Sequence, residues 1–139
     1  MSLICLGLDG ATWRNLEEWI KRGNLPNLAA LANSGTKGTL QSTIPCTTVP
    51  AVPALTTGKN PANLGLFNFT HPDGSIIDSS DIEPPAIWDA IEPDKRSLIA
   101  NLRSTYPPYN INATMIAGDL FLPSGVNDYV TPISRCDEL

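Results

Sequence analysis

Apolar residues crowd positions 3 to 8 almost without interruption and stop at Asp9-Gly10, the pattern of a buried parallel strand that ends in a turn. Trp13, Leu16, Trp19 and Ile20 follow at spacings of three and four, which predicts a helix closed by Arg22-Gly23. Pro26 is suited to open a second helix, with Leu28, Leu31 and Ala32 on one face and Gly35 past its end. The segment "TKGTLQST", residues 36 to 43, predicts a second strand.

The pattern then changes. Residues 42 to 58, "STIPCTTVPAVPALTTG", are rich in hydroxyls and carry no charge. Pro50 and Pro53 would break a helix interior but fit a first turn, where amide hydrogens have no partner within the helix. A short helix from about Pro50 to Gly58 is therefore expected, with Thr47 and Thr48 just before its N-terminus. "LFNFTHPDGSIID" places Asp73-Gly74 between two short apolar pieces, which predicts a hairpin insertion over about 66–80, projecting from the core. "PPAIWDAIE" predicts a helix, and "RSLIANL" and "ATMIAGD" predict two strands. This order points to an α/β fold, a mostly parallel sheet with flanking helices in a single domain over 1–139.

Size and composition agree with a globular core: 139 residues, 42% hydrophobic and 17% charged. A net charge of -5 argues against a nucleic-acid surface, because counterion release needs clustered Lys and Arg. Cys5, Cys46 and Cys136 make no disulfide framework and no CxxC metal spacing, which fits a reducing compartment. The apolar start is too short for a signal sequence, and no run approaches the ~20 residues of a membrane span, so a cytoplasmic protein without a membrane is expected. Asn68-Phe69-Thr70 and Asn112-Ala113-Thr114 match the glycosylation tripeptide but read as chance without a secretion signal.

Ligands of open α/β sheets gather at the carboxyl ends of strands, where Asp9 and the Thr47-Thr48 loop are expected. A carboxylate beside a hydroxyl at a helix N-terminus could hold a divalent metal while amides receive a phosphate oxygen. From spacing alone, Asp9 reads first as a helix cap or turn residue, and each Thr first as a local partner of the backbone. Other motifs fail. Gly58-Lys59-Asn60 lacks the Ser or Thr of a P-loop, and Pro53 stands where its first Gly belongs. No GxSxG elbow occurs, and the single His71 sits beside the hairpin turn, which reads as exposed and argues against a Ser-His-Asp triad. Trp13, Trp19 and Trp88 read as core.

In order, "GLDGATW" (7 to 13), "LPNLAALANSGTKGTLQST" (25 to 43), "TVPAVPALTTGKNPANLGLFNF" (48 to 69) and "TYPP" (105 to 108) resemble the N-terminal part of type I phosphodiesterase/nucleotide pyrophosphatase proteins of the alkaline phosphatase superfamily. The resemblance implies a partial alkaline-phosphatase-like core. It further implies that Asp9 binds one of two divalent metals, usually zinc, and that Thr48, ten residues before Gly58, is both metal ligand and nucleophile. The implied reaction is attack on a phosphodiester or nucleotide small molecule through a phosphothreonine.

The chain departs from the family pattern in places. Cys46 replaces a proline of the usual "PPxT", Thr47 offers a rival hydroxyl, and Val49 and Val52 stand where aromatic residues are common. Cys46 lacks the CxPxR context of a sulfatase nucleophile. The family's further Asp and His ligands come from segments beyond Leu139, so the resemblance implies the N-terminal portion of a longer enzyme, weak or inactive as an isolated chain. The alternative is a noncatalytic binding module derived from the family, forming a homodimer through an open sheet edge. A mutase or monoesterase within the superfamily is a third reading.

Overall fold

The computed structural model describes residues 3–92, 94–118 and 128–132, and the chain falls into two compact units, Met1–Gln41 and Ser42–Leu139. Among the described residues the architecture is α/β, with four α-helices, two short 3-10 turns and a three-stranded mixed sheet.

In the first unit the helical periodicity is realised as α1 (Trp13–Lys21) and α2 (Pro26–Ser34). Gly23 ends α1 because the chain must turn left-handed there, at φ 77. The Gly23 amide reaches the Ile20 carbonyl and the Asn24 amide reaches the Trp19 carbonyl, the paired bonds of a Schellman cap. Trp13, Leu16 and Ile20 are half-buried, whereas Trp19, expected in the core, is 50% exposed.

Neither strand expected in this unit forms. Residues 3 to 8 have no ladder, and Leu3, Ile4 and Leu6 are more than three-quarters exposed, at 86%, 88% and 80%. Apolar sequence makes a strand only where a second backbone supplies hydrogen bonds, and none of the described residues does so here. Residues 36 to 43 are held by side chains instead. Trp13 Nε1 donates to the Gly38 carbonyl at 2.8 Å, while the Lys37 ammonium bonds Glu17 at 2.6 Å and lies 5.0 Å from the Trp13 ring centroid.

The second unit opens with α3 (Thr48–Thr57), which starts two residues before Pro50. Thr47 is extended at φ -117 and ψ 160, yet its carbonyl already accepts the Ala51 amide, so Thr48 and not Pro50 is the first helical residue. Pro50 still falls where no intrahelical partner is needed. Pro53 does not: it stands in the second turn, and its missing N–H deprives the Val49 carbonyl of a bond. Gly58 closes the helix at φ 68. A single further turn, α4 (Pro61–Leu64), is capped by the Asn60 side chain, which accepts the Asn63 amide at 2.9 Å.

After α4 the chain folds back on itself through one antiparallel bridge between Thr70 and Ile76, with Gly74 at φ 89 in the tip. Its base does not project from the core. Leu66 and Ile77, 2% and 4% exposed, pack with Val49 of α3, flanked by Leu64, Phe69 and Ile82. At the tip the Ser75 amide and hydroxyl both donate to Asp73, and these bonds hold the Asp73 carboxyl below its ordinary 3.8.

The helix expected at 84 to 92 is only a 3-10 turn, Ile87–Ala90. Asp89 accepts the Ala86 amide at 2.7 Å and caps that turn, and the proline at 93 disfavours helical geometry at Glu92. Next come β1 (Leu98–Leu102), β2 (Thr114–Ala117) and β3 (Val130–Thr131), ordered β1-β2-β3. The β1–β2 pair is parallel and the β2–β3 pair antiparallel, so the described sheet is mixed. Ile99, Met115, Ala117 and Val130 are buried, while Leu98 is 66% exposed.

Candidate functional site

Asp9 sits in a turn of the first unit. The Ala11 amide donates to the Leu8 carbonyl at 3.2 Å, and Gly10 takes the third position at φ 69, the geometry of a type II turn. The Asp9 side chain is exposed and makes no hydrogen bond to a described residue. It follows the apolar run, but that run is not a strand, so Asp9 does not stand at a strand end.

Thr48 belongs to the second unit. The structure separates the hydroxyls of the 42 to 58 segment by what each bonds. Thr43 donates to the Pro45 carbonyl at 2.8 Å. Thr56 donates to the carbonyls of Val52 and Pro53, and Thr57 to that of Pro53 at 2.7 Å while accepting the Lys59 amide. These are the local backbone bonds that Thr residues ordinarily make. Among the described residues the Thr47 and Thr48 hydroxyls make none, and no side chain caps α3.

The start of α3 therefore combines first-turn amides without intrahelical partners, the positive end of the helix dipole and two uncommitted hydroxyls. Thr48 is half-buried and anchored by buried Val49 and Pro50, whereas Thr47 is exposed. Burial holds one hydroxyl in place and leaves the other in solvent. The exposed Cys46 thiol lies two residues before Thr48, and Cys136 lies outside the described residues. The Lys59 amide is engaged by the Thr57 hydroxyl.

His71 differs from its expected exposed setting. It is half-buried, and its Nε2 lies 3.0 Å from Asp81 Oδ1. Asp81 in turn accepts the Asp78 amide at 2.8 Å, so the pair ties the hairpin to the 3-10 turn Ser79–Asp81. No sequence spacing announces this pairing.

Among the described residues, no three His, Cys, Asp or Glu side chains converge to hold a metal. Asp9 and Thr48 are two donors, and a zinc centre takes three or four protein ligands. The described residues therefore do not make up a metal centre. No helix among them is long and apolar enough to cross a membrane.

No characterised protein and no solved structure matches the chain. A family model does, and it covers the Asp9 turn, the whole of α3 and the sheet strands β1 and β2. Matching residues 3–122 to the type I phosphodiesterase / nucleotide pyrophosphatase model, the chain belongs to that family.

Proposed function

We propose that the chain carries the nucleophile-bearing segment of a hydrolase of phosphodiesters or nucleotide pyrophosphates, with Thr48 as the nucleophile. Family membership supports the reaction class, and members of the family are generally metal-dependent. The observation that carries the residue assignment is the uncommitted Thr48 hydroxyl on a helix N-terminus, in a segment whose other half-buried threonines bond the backbone.

In this reading Thr48 Oγ gives up its proton to solvent and attacks phosphorus, and the P–O bond to the leaving group breaks with its electron pair going to the departing oxygen. The remaining phosphoryl ester is carried on Thr48 until water attacks it, breaks the Oγ–P bond and returns a proton to Oγ. The first-turn amides of α3 receive the nonbridging oxygens, whose negative charge the helix dipole favours. Asp9 and Thr48 are proposed as two of the donors to a divalent metal, zinc by resemblance. The fold proposed is the mostly parallel alkaline-phosphatase-like sheet with flanking helices.

The test is covalent labelling. The chain is incubated with a chromogenic phosphodiester in zinc and in chelator, digested, and the 42 to 58 peptide is analysed by mass spectrometry. The expected label sits on Thr48, survives in Thr48→Ser and is absent from Thr48→Ala. Labelling of Thr47 in place of Thr48, or equal labelling of Thr48→Ala, overturns the assignment.

A further inference from the structure

The first turn of α3, which carries Thr48, is poorly held by its own backbone. No side chain caps it, and Pro50 and Pro53 bring no N–H, so the Val49 carbonyl has no intrahelical donor. A helix start of this kind depends on tertiary packing for its orientation.

The packing comes from the hairpin. Val49, Pro50 and Pro53 are the buried residues of α3, and Val49 and Pro53, four apart, share a face. Against Val49 lie Leu66 and Ile77, 2% and 4% exposed, one from each arm of the hairpin. Both arms are fixed. The Leu66 amide donates to the Pro61 carbonyl at 3.1 Å, the Ile77 amide donates to the Phe69 carbonyl at 3.0 Å, and the His71–Asp81 contact ties the hairpin to the next turn. Neither Leu66 nor Ile77 has a side-chain group able to take part in chemistry, so any effect on Thr48 passes through Val49.

We propose, on the reading that Thr48 is the nucleophile, that Leu66 and Ile77 are positioning residues: the hairpin base holds Val49, and Val49 holds the adjacent Thr48 in one orientation. The hairpin then serves the reaction without touching substrate. Thr47 is exposed and extended, outside the helix, and gains nothing from this support, so the same packing separates the two neighbouring hydroxyls. A loosened nucleophile is costly, because a misplacement of about 1 Å can lower a rate by about a hundredfold.

The test reads order at Thr48 directly. Amide nitrogen relaxation is measured on the full chain and on Leu66→Ala and Leu66→Met, well below their denaturation midpoints, with the Met115 and Ala117 amides of β2 as internal controls. In the parent the Thr48 amide should have the order parameter of rigid backbone, about 0.85, and in Leu66→Ala it should fall toward about 0.6 while β2 stays unchanged. Leu66→Met refills the volume and should restore the parent value. A role in global stability alone lowers the midpoint without loosening one turn of the folded state. If Leu66→Ala does not fold, Ile77→Val removes a single methylene from the same cluster and should give the same pattern at smaller size. The rate of phosphoryl labelling at Thr48 should fall by roughly tenfold in Leu66→Ala and stay within about twofold of the parent in Leu66→Met. Unchanged order at Thr48 in the folded variant, equal loosening of β2, or full labelling of Thr48 despite lost order would each overturn the proposal. Labelling of Thr47 in the parent, or equal labelling of Thr48→Ala, removes the nucleophile assignment instead, and the relaxation data still decide whether the hairpin base holds Thr48.

Discussion

The Gly118 amide donates a 2.9 Å hydrogen bond to the Thr105 hydroxyl, and Thr105 in turn donates to the Leu102 carbonyl at 2.6 Å. One buried hydroxyl thereby joins the ends of β1 and β2, where the ladder shifts register between Ala100 and Leu102. Asn101, left unpaired by that shift, takes the left-handed region at φ 52, and Ser104 takes it at φ 61 in the turn after β1. Thr105→Val is almost isosteric but leaves the Gly118 amide and the Leu102 carbonyl unpaired, a cost of about 1–3 kcal/mol. Thr105→Ser should restore most of it, as read from hydrogen exchange at the Met115 and Ala117 amides.

Gly118 has a second constraint. A Cβ there would lie 2.5 Å from the Asn101 carbonyl carbon and 2.7 Å from its Cα, both backbone atoms that cannot swing aside. Gly118→Ala should therefore destabilise the second unit by about 1–3 kcal/mol through overpacking. An unchanged denaturation midpoint would show that the two strand ends are not held so close in solution.

These two residues show what sequence reading can and cannot reach. "TYPP" was legible as a family motif, but the role of Thr105 depends on Gly118, thirteen residues away and brought near only by strand pairing. The helices α1 and α2 were legible because their caps and periodicity are local. Strands at 3 to 8 and 36 to 43 were misread because hydrophobicity does not supply a partner backbone. Thr48 was named through the resemblance, whereas the difference between it and Thr43, Thr56 or Thr57 lies in hydrogen bonds that composition does not encode.

Met115 is fully buried at the centre of β2, between β1 and β3. Truncation to Ala removes most of the side chain from a site flanked on both strand edges, where collapse is limited. Met115→Ala should cost about 2–5 kcal/mol, and Met115→Leu less than about 1.5. Chemical denaturation followed by Trp88 fluorescence in a Trp13→Phe, Trp19→Phe background reports this unit alone; equal losses for Ala and Leu would contradict the packing argument.

The Lys37 ammonium donates to Glu17 and lowers its carboxyl pKa below the ordinary 4.5, with the Lys37 charge acting in the same direction. A depressed folded-state value means that the ionised form is the one stabilised. Its contribution is present above about pH 4.5 and is lost as pH falls through the folded-state value. Lys37→Met keeps an aliphatic stem on Trp13 and removes the charge. In that variant the Glu17 carboxyl should titrate closer to 4.5 by NMR, and an unchanged titration would show that the pair does not persist in solution.

Thr48 and Thr57 occupy opposite ends of α3 and should separate stability from chemistry. Thr57 bonds the Pro53 carbonyl and accepts the Lys59 amide, so Thr57→Ala removes two contacts at the helix end and should cost about 1 kcal/mol. Thr48 makes no side-chain bond among the described residues and stands at a first helical position, where Ala is well tolerated. Thr48→Ala should therefore leave the denaturation midpoint within about 0.5 kcal/mol of the parent. A hydroxyl with no structural work whose removal abolishes phosphoryl labelling is held for reaction. If Thr48→Ala instead unfolds the second unit, the hydroxyl has a packing role and its availability to a phosphodiester falls with it.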